Sequence, residues 1–299
     1  GRLILASLVL GGELAKLTRR TEAVGLMLPN VNGMVVTLFG LNAFGRVAAL
    51  LNFSSGLKNL RSTILTGAIR TLVTSRRFIA TAKLEDVIGN LATLEVAPGK
   101  TLEILYLEDI RKRIGLKAKL AGMLKSKLAG RVHRRHALSA NQPAVILFTS
   151  GTEGVPKGVV LSNANIVSNA RQIFAHADGL LTAADKVMNP LPMFHSFGLT
   201  AASIMPILNG MKTTFYPSPL HYKEIPALIA ATGSTVLFAT DTFLQGYARA
   251  AKPDEMKTLR YIIAGAEKVK EATRQSYAKH GGMILEGYGA TECSPVICC

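Results

Sequence analysis

The stretch AVILFTSGTEGVPKGVVL, residues 144–161, joins two apolar runs through a loop of small residues. An apolar run of this length, bounded by Thr, Ser and Gly, reads as a buried strand, and loops leaving such strands are where α/β sheets take their ligands. The loop holds what a phosphate grip needs: backbone N–H groups around Gly151, Gly154 and Gly158, the hydroxyls of Thr149, Ser150 and Thr152, and the ammonium group of Lys157. It is not a Walker loop. Pro156 precedes Lys157 and Gly158 follows it, and GVVL reads as a further strand where a Walker loop would enter a helix. A helical pattern begins only after Ser162, so phosphate would be held without a helix dipole directly behind it.

Glu153 is the residue out of place in that loop. A carboxylate about 4 Å from a phosphate charge costs roughly 4 kcal/mol at an effective dielectric near 20. It therefore needs a cation beside it. The expectation is that Glu153 orders the empty loop through Lys157, or joins the shell of a bound metal when nucleotide is present.

Working outward, short apolar runs alternate with amphipathic stretches. Strands are expected at 23–28, 47–51, 70–74, 102–107, 144–149, 158–161, 211–216, 235–239, 259–264 and 283–286, with helices at 57–68, 163–177, 222–231 and 268–279. This alternation predicts an α/β fold with mainly parallel sheets and helices on both faces. The apolar stretch 34–51 is interrupted by Asn42, Arg46 and glycines, and splits into a core helix and strand better than it spans a membrane. Among 299 residues, 48% are hydrophobic and 18% charged, the balance of a globular chain. No repeat or low-complexity tract stands out. The chain opens on Gly1 and stops at Cys299, and is read as a piece of a longer polypeptide. Cys293, Cys298 and Cys299 fit no metal-ligand spacing and read as reduced thiols of a cytosolic protein.

The net charge is +16, and its excess is concentrated. Between Arg111 and His136 lie ten Lys or Arg residues and no acid, with Leu116, Leu120, Met123, Leu124 and Leu128 at helical spacing. One basic amphipathic helix is expected there, closing a first α/β portion (1–136) before a second (137–299). Such a helix suits an anionic membrane surface, an acidic protein or simple solvation. Nucleic acid is the weakest partner, because no aromatic residue interleaves the charges.

Thr149–Thr152, Gly154 and Pro156–Gly158 together resemble the phosphate loop of adenylate-forming enzymes. LPMFHSFGL (191–199), YIIAGAEKV (261–269) and LEGYGATECSP (285–295) resemble that family's histidine-aromatic, adenine-loop and Tyr-Gly-x-Thr-Glu segments, in the family's order. The start of the chain, VGLMLPN with GRVAALLN, is similar to its N-terminal subdomain. The resemblance implies the large N-terminal domain of that fold. It also implies ATP and Mg²⁺ as cofactors, with Glu292 binding the metal, Thr291 donating to phosphate, Tyr288 and Gly289 beside the nucleotide, and Gly265, Ala266 and Glu267 lining the adenine. His195 is implied near the acyl carboxylate, as a polarising or gating group.

A narrower likeness rests on Glu153, YPSPLHYKEIP (216–226) and the run through 285–296. Together these resemble the synthetase half of the bacterial bifunctional acyl-carrier-protein synthetase and 2-acylglycerophosphoethanolamine acyltransferase. That likeness implies a long-chain fatty acid as substrate, an acyl-carrier protein as acceptor, lysophospholipid re-acylation, and a place at the cytoplasmic side of the bacterial inner membrane. A coenzyme A ligase is the alternative within the same chemistry, and a nucleotide-binding domain without turnover is the alternative outside it. None of the six histidines has Asp five residues later, so the acyltransferase's His-x-x-x-x-Asp pair is not within these residues. The family's ribose-binding Asp, hinge and catalytic Lys are expected downstream of Cys299.

Overall fold

VGL and VAAL, two of the apolar runs, form the middle of the first sheet. The structure is a computed structural model, and it describes residues 1–149, 156–279 and 282–299. Strands β1 (Ala23–Leu26), β2 (Val47–Leu50) and β3 (Thr71–Thr74) are buried at almost every position, as strands covered on both faces must be. A small hairpin, β4 (Glu95–Ala97) with β5 (Lys100–Thr101), lies apart. With β6 (Glu103–Tyr106), β7 (Pro143–Thr149) and β8 (Lys157–Ser162), the first sheet runs β6-β3-β1-β2-β7-β8. Every pairing is parallel except the last. Strand β8 returns antiparallel along β7, with Thr149 opposite Lys157, so the glycine-rich loop joins strand to strand as its sequence implied.

Helices α1 (Arg2–Leu17), α2 (Asn32–Ala43), α3 (Leu57–Thr66), α4 (Arg76–Ala82) and α5 (Glu85–Ala92) flank this sheet. One core cluster gathers Met27, Leu60, Ile64, Leu72, Ile88 and Leu91. The stretch 34–51 divides into α2 and β2, as expected. Arg46, the charge that interrupts it, is buried and put to use. Its guanidinium donates to the carbonyls of Ala15 (2.8 Å), Thr18 (2.6 Å) and Phe44, closing the end of α1 where backbone acceptors lack intrahelical partners.

The basic segment departs from expectation. It is three helices: α6 (Leu107–Arg113), α7 (Leu116–Lys127) and α8 (Ala129–His136). The chain leaves helical geometry at Ile114 and Gly115, and again at Leu128, whose φ of −112° and ψ of 27° lie outside the α region. Equal spacing of leucines cannot reveal such breaks.

The second sheet is built from β9 (Lys186–Asn189), β10 (Lys212–Phe215), β11 (Val236–Ala239), β12 (Tyr261–Gly265), β13 (Met283–Gly289) and β14 (Val296–Cys298). Its order is β10-β9-β11-β12-β13-β14, parallel throughout except for β14. Helices α9 (Asn163–His176), α10 (Met205–Leu208), α11 (Glu224–Thr232), α12 (Asp241–Ala250) and α13 (Glu271–Ala278) accompany it, with a π-helix at Phe197–Ile204. Asn169 of α9 clasps the edge strand: its side-chain oxygen accepts from Val296 N (3.1 Å) and its amide donates to Val296 O (2.8 Å). The chain divides into two units, Gly1–Asn163 and Ala164–Cys299. The division falls after β8 rather than at 136/137, because β7 and β8 hydrogen-bond into the first sheet through β2. Among the described residues no helix is long and apolar enough to cross a membrane.

At the amino end of the second sheet, buried Asp185 ties three strands. Its carboxylate accepts from the Thr235 hydroxyl (2.7 Å), Thr182 N (2.8 Å) and Arg260 Nη1 (2.9 Å), at the starts of β9, β11 and β12. Burial pushes its pKa up, but these donors outweigh burial and hold it below the ordinary carboxylate value. Arg260 is half exposed, so water screens its share, and the hydrogen bonds to the charged oxygen carry most of the stabilisation. Because the folded pKa is depressed, the unfolded chain takes up the proton first on acidification. The contribution is whole above about pH 4 and disappears as pH falls through the folded value. Asp185→Asn should cost about 2 kcal/mol at neutral pH and flatten the acid limb of stability. Urea unfolding at a series of pH values between neutral and acid checks both effects.

Candidate functional site

Parallel pairing of β12 with β13 sets Gly265 beside Gly287, so the segments leaving both strands emerge at one sheet edge, the carboxyl end. This edge is where open α/β sheets bind ligands. The loop at 266–269 leaves β12 there, and Ala290 through Glu292 leave β13. The 190–197 segment arises from the carboxyl end of β9 and joins them through two contacts. Ser196 Oγ lies 3.4 Å from Thr291 Oγ1. A Cβ at Gly265 would stand 3.1 Å from the Phe197 ring, so the missing side chain at 265 gives room first to that ring. Phe197 in turn meets Phe238 of β11 edge-on, with centroids 5.9 Å apart.

The histidine segment owes its shape to Asn189 and the π-helix. The Asn189 amide donates to Ala202 O and Ser203 Oγ, both at 2.9 Å, while its oxygen accepts from Leu191 N. π-Helical turns recur at functional sites because the extra residue per turn re-aims side chains. His195 stands at the start of this element, its ring 4.7 Å from Phe194. The residue is exposed overall, yet burial of its ring lowers its pKa below the ordinary value. The imidazole is neutral at neutral pH and offers a hydrogen bond rather than a charge.

Thr291 and Glu292 sit on a single 3₁₀ turn, Thr291–Cys293, closed by Cys293 N to Ala290 O (2.9 Å) and Ala290 N to Pro295 O (2.9 Å). Gly289 pairs with Val296 across β14, and Tyr288 is exposed. Glu292 is exposed and makes no ion pair among the described residues. Nor do those residues hold any cluster of three or more His, Cys, Asp or Glu side chains able to cage an ion. A single uncommitted carboxylate fits Mg²⁺, which takes one or two carboxylates and completes its shell with phosphate and water.

The residues expected to line the adenine differ in their commitments. Ala266 is exposed and held at a φ of 67°, a region that side-chain-bearing residues seldom enter. The Glu267 carboxylate accepts from the backbone N–H (3.1 Å) and hydroxyl (2.7 Å) of Thr242, in the first turn of α12. Two further residues position this loop that the sequence reading did not single out, Glu286 and Asp241. Val269 N donates to Glu286 Oε2 (3.0 Å), and buried Asp241 accepts from Lys270 N (3.1 Å), the Thr273 hydroxyl (2.7 Å) and Gln245 Nε2 (2.7 Å). An Asp opening a helix straight after an apolar strand was the available clue to Asp241.

On the first unit, Thr149 ends β7 half-buried and Lys157 begins β8 exposed. Gly158 faces Phe148, where a Cβ would stand 3.4 Å from the ring. Ser150, Gly151, Thr152, Glu153 and Gly154 lie outside the described residues. A separate cleft of about 520 Å³ lies between the turn at 220–224 and α12. It uses part of the 216–226 stretch and shares no residue with the motif loops. All three cysteines are exposed and unbridged.

The chain is 24% identical over 302 residues to a long-chain-fatty-acid–CoA ligase of Yersinia pestis, an alignment covering 93% of this chain and 52% of the relative. It is 27% identical over 303 residues to a probable 4-coumarate–CoA ligase 3 of Dictyostelium discoideum, covering 94% and 52%. The chain thus spans about half the length of these relatives. Among solved structures, the inhibitor-bound N-terminal domain of FACL13 from Mycobacterium tuberculosis superposes with a TM-score of 0.78 at 21% identity, covering 98% of this chain and 69% of that one. The anthranilate CoA ligase AuaEII in complex with anthranoyl-AMP gives 0.76 at 19%, covering 99% and 54%. These likenesses establish the fold as that of the N-terminal domain of adenylate-forming enzymes. The sequence profile of the family described as AMP-binding enzyme matches residues 14–299, and the chain belongs to that family.

Proposed function

We infer that the chain is the nucleotide-binding part of an AMP-forming ligase that activates a long-chain fatty acid. The observation that carries this reading is the gathering of Gly265, Ala266, Tyr288, Thr291 and uncommitted Glu292 at one sheet edge, with Ser196 and Phe197 against them. In the inferred reaction a carboxylate oxygen of the fatty acid attacks the α-phosphorus of ATP. The bond from that phosphorus to the bridging oxygen breaks, pyrophosphate leaves with the electron pair, and the acyl adenylate remains. A thiol then attacks the acyl carbonyl and AMP departs. Two anions must meet in the first step, so aimed donors and positive charge carry the catalysis.

Thr291 donates to phosphate, and Ser196 orients its hydroxyl. Glu292 would hold Mg²⁺, which when bound neutralises phosphate charge as pyrophosphate separates. Lys157, Thr149 and the 150–154 residues serve phosphate by their resemblance to the family loop, with Glu153 balanced by a cation. Tyr288 and Ala266 border the adenine. Neutral His195 offers the fatty carboxylate a hydrogen bond without trapping it as an ion pair.

The acceptor thiol separates two readings. Coenzyme A is favoured by the names of the relatives in Yersinia pestis and Dictyostelium discoideum. An acyl-carrier protein, with lysophospholipid re-acylation at the inner face of a bacterial membrane, is favoured by Glu153, the 216–226 stretch and a net charge of +16 that suits an acidic partner. Supplying each thiol in turn to the full-length parent and following thioester formation decides between them.

In the full-length parent, Glu292→Ala should lower fatty-acid-dependent ATP–pyrophosphate exchange by about 10²–10³ while leaving the unfolding midpoint unchanged, since the side chain is exposed. Exchange near the parent rate would remove Glu292 from the metal role. Glu153→Thr should keep exchange within a few-fold of the parent; a collapse matching that of Glu292→Ala would make Glu153 a direct metal ligand. The 299-residue chain itself should bind ATP weakly and only with Mg²⁺, with little pyrophosphate release, because it spans only about half the length of the relatives it matches. Calorimetric titration beside a pyrophosphate assay measures both, and rapid release would relocate the catalytic machinery into these residues.

A further inference from the structure

Helix α7 is turned inside out relative to an ordinary surface helix. Such helices point their apolar stripe at the core. On α7 the stripe points away: Leu116, Leu120, Met123 and Leu124 are each more than half exposed, and Leu128 continues the row past its end. The inward face is made of small residues, Ala118, Gly122 and Ser126. Gly122 is pressed so closely on α1 that a Cβ there would fall 2.1 Å from a methyl group of Val9. Small side chains thus bring the helix close to α1, and large apolar ones are left in solvent.

Charge frames that row. Lys117 and Lys119 flank it on opposite sides and Lys127 stands at its far end, all exposed, followed by Arg131, Arg134 and Arg135 on α8. No acid occurs from 111 to 136. The nearest acids in sequence, Glu108 and Asp109, are engaged: Glu108 accepts from Ser75 Oγ (2.7 Å) and Arg76 N (3.0 Å), and Asp109 pairs with Arg76 at 2.6 Å. The surface is therefore apolar along its crest and uncompensated positive along its flanks.

We propose that the outer face of α7 docks on an anionic lipid bilayer. Its leucines and methionine enter the boundary between headgroups and acyl chains, while the long lysine side chains reach back to lipid phosphates. An acidic protein would answer the charges; an anionic bilayer answers both the charges and the unbroken crest of large aliphatic side chains. The surface is independent of the ligase chemistry inferred above, since no motif residue belongs to it.

The test is co-sedimentation of the 299-residue chain with phosphatidylglycerol–phosphatidylcholine vesicles and with phosphatidylcholine vesicles alone. Binding is expected to the anionic vesicles and to weaken with salt. Leu120→Gln with Leu124→Gln should reduce the partition coefficient at least about tenfold. Lys117→Gln with Lys119→Gln and Lys127→Gln should abolish the preference for anionic lipid. Both variants change exposed side chains, so their melting temperatures should match the parent; Met123→Gln alone gives a milder version if the double variant fails to fold. Three outcomes overturn the proposal: no binding to anionic vesicles, binding indifferent to the Leu120/Leu124 change, or a dimer by sedimentation velocity that the same change dissociates. Co-elution with a purified acyl-carrier protein through this row, without vesicle binding, would assign the face to an acidic protein instead.

Discussion

A buried carboxylate at the head of α12 organises the carboxyl edge of the second sheet. Asp241 is withdrawn from water, which by itself pushes its pKa up. The Thr273 hydroxyl, Lys270 N and Gln245 amide more than compensate, and the group is held below the ordinary carboxylate value. An ionised group at such a depth is tolerable only with its donors in place. Satisfying it fixes three things at once: the start of α12, the first turn of α13, and the end of the loop that leaves β12. Glu267 reaches back to Thr242 and Glu286 receives Val269 N, so the loop is fastened at three points. What remains at the crest is Ala266, held in a backbone conformation that a free chain would leave.

How much of this could be read in the sequence depends on whether the cause is local. The buried parallel strands announced themselves because burial on both faces leaves a continuous apolar run, as VAAL and VLFA do. KVMN of β9 did not, since its Lys and Asn ends break the run and its burial comes from neighbours distant in the chain. The π-helix over Phe197–Ile204 was equally hidden: FGLTAASI is apolar all round, and periodicity has nothing to grip. In the basic segment the leucine spacing was real but its direction was not legible, because which face meets α1 is decided by Gly122 and Val9, more than a hundred residues apart.

The candidate site divides in the same way. Its motifs were visible as strings, since strand-ending glycines and hydroxyls are a local chemical signature. Their mutual contacts were not. Ser196 meets Thr291 across 95 positions, and Gly265 proves to shelter Phe197 before any base. Asp241 was not singled out in the sequence, yet it anchors a loop 29 residues later. In the glycine-rich loop itself, the strands on either side match the sequence reading, while the reading of 150–154 still rests on composition.

The clasp of Asn169 on Val296 has a consequence for how the sheet ends. A terminal strand normally leaves a row of backbone donors and acceptors facing outward, ready to recruit any extended chain that passes. At Val296 both outward groups are already taken, one by each end of a single side-chain amide. That amide imitates one rung of a strand that is not there. Strand addition at this rung would first have to displace it, so the second sheet is guarded against edge-to-edge self-assembly beside the turn that presents Glu292.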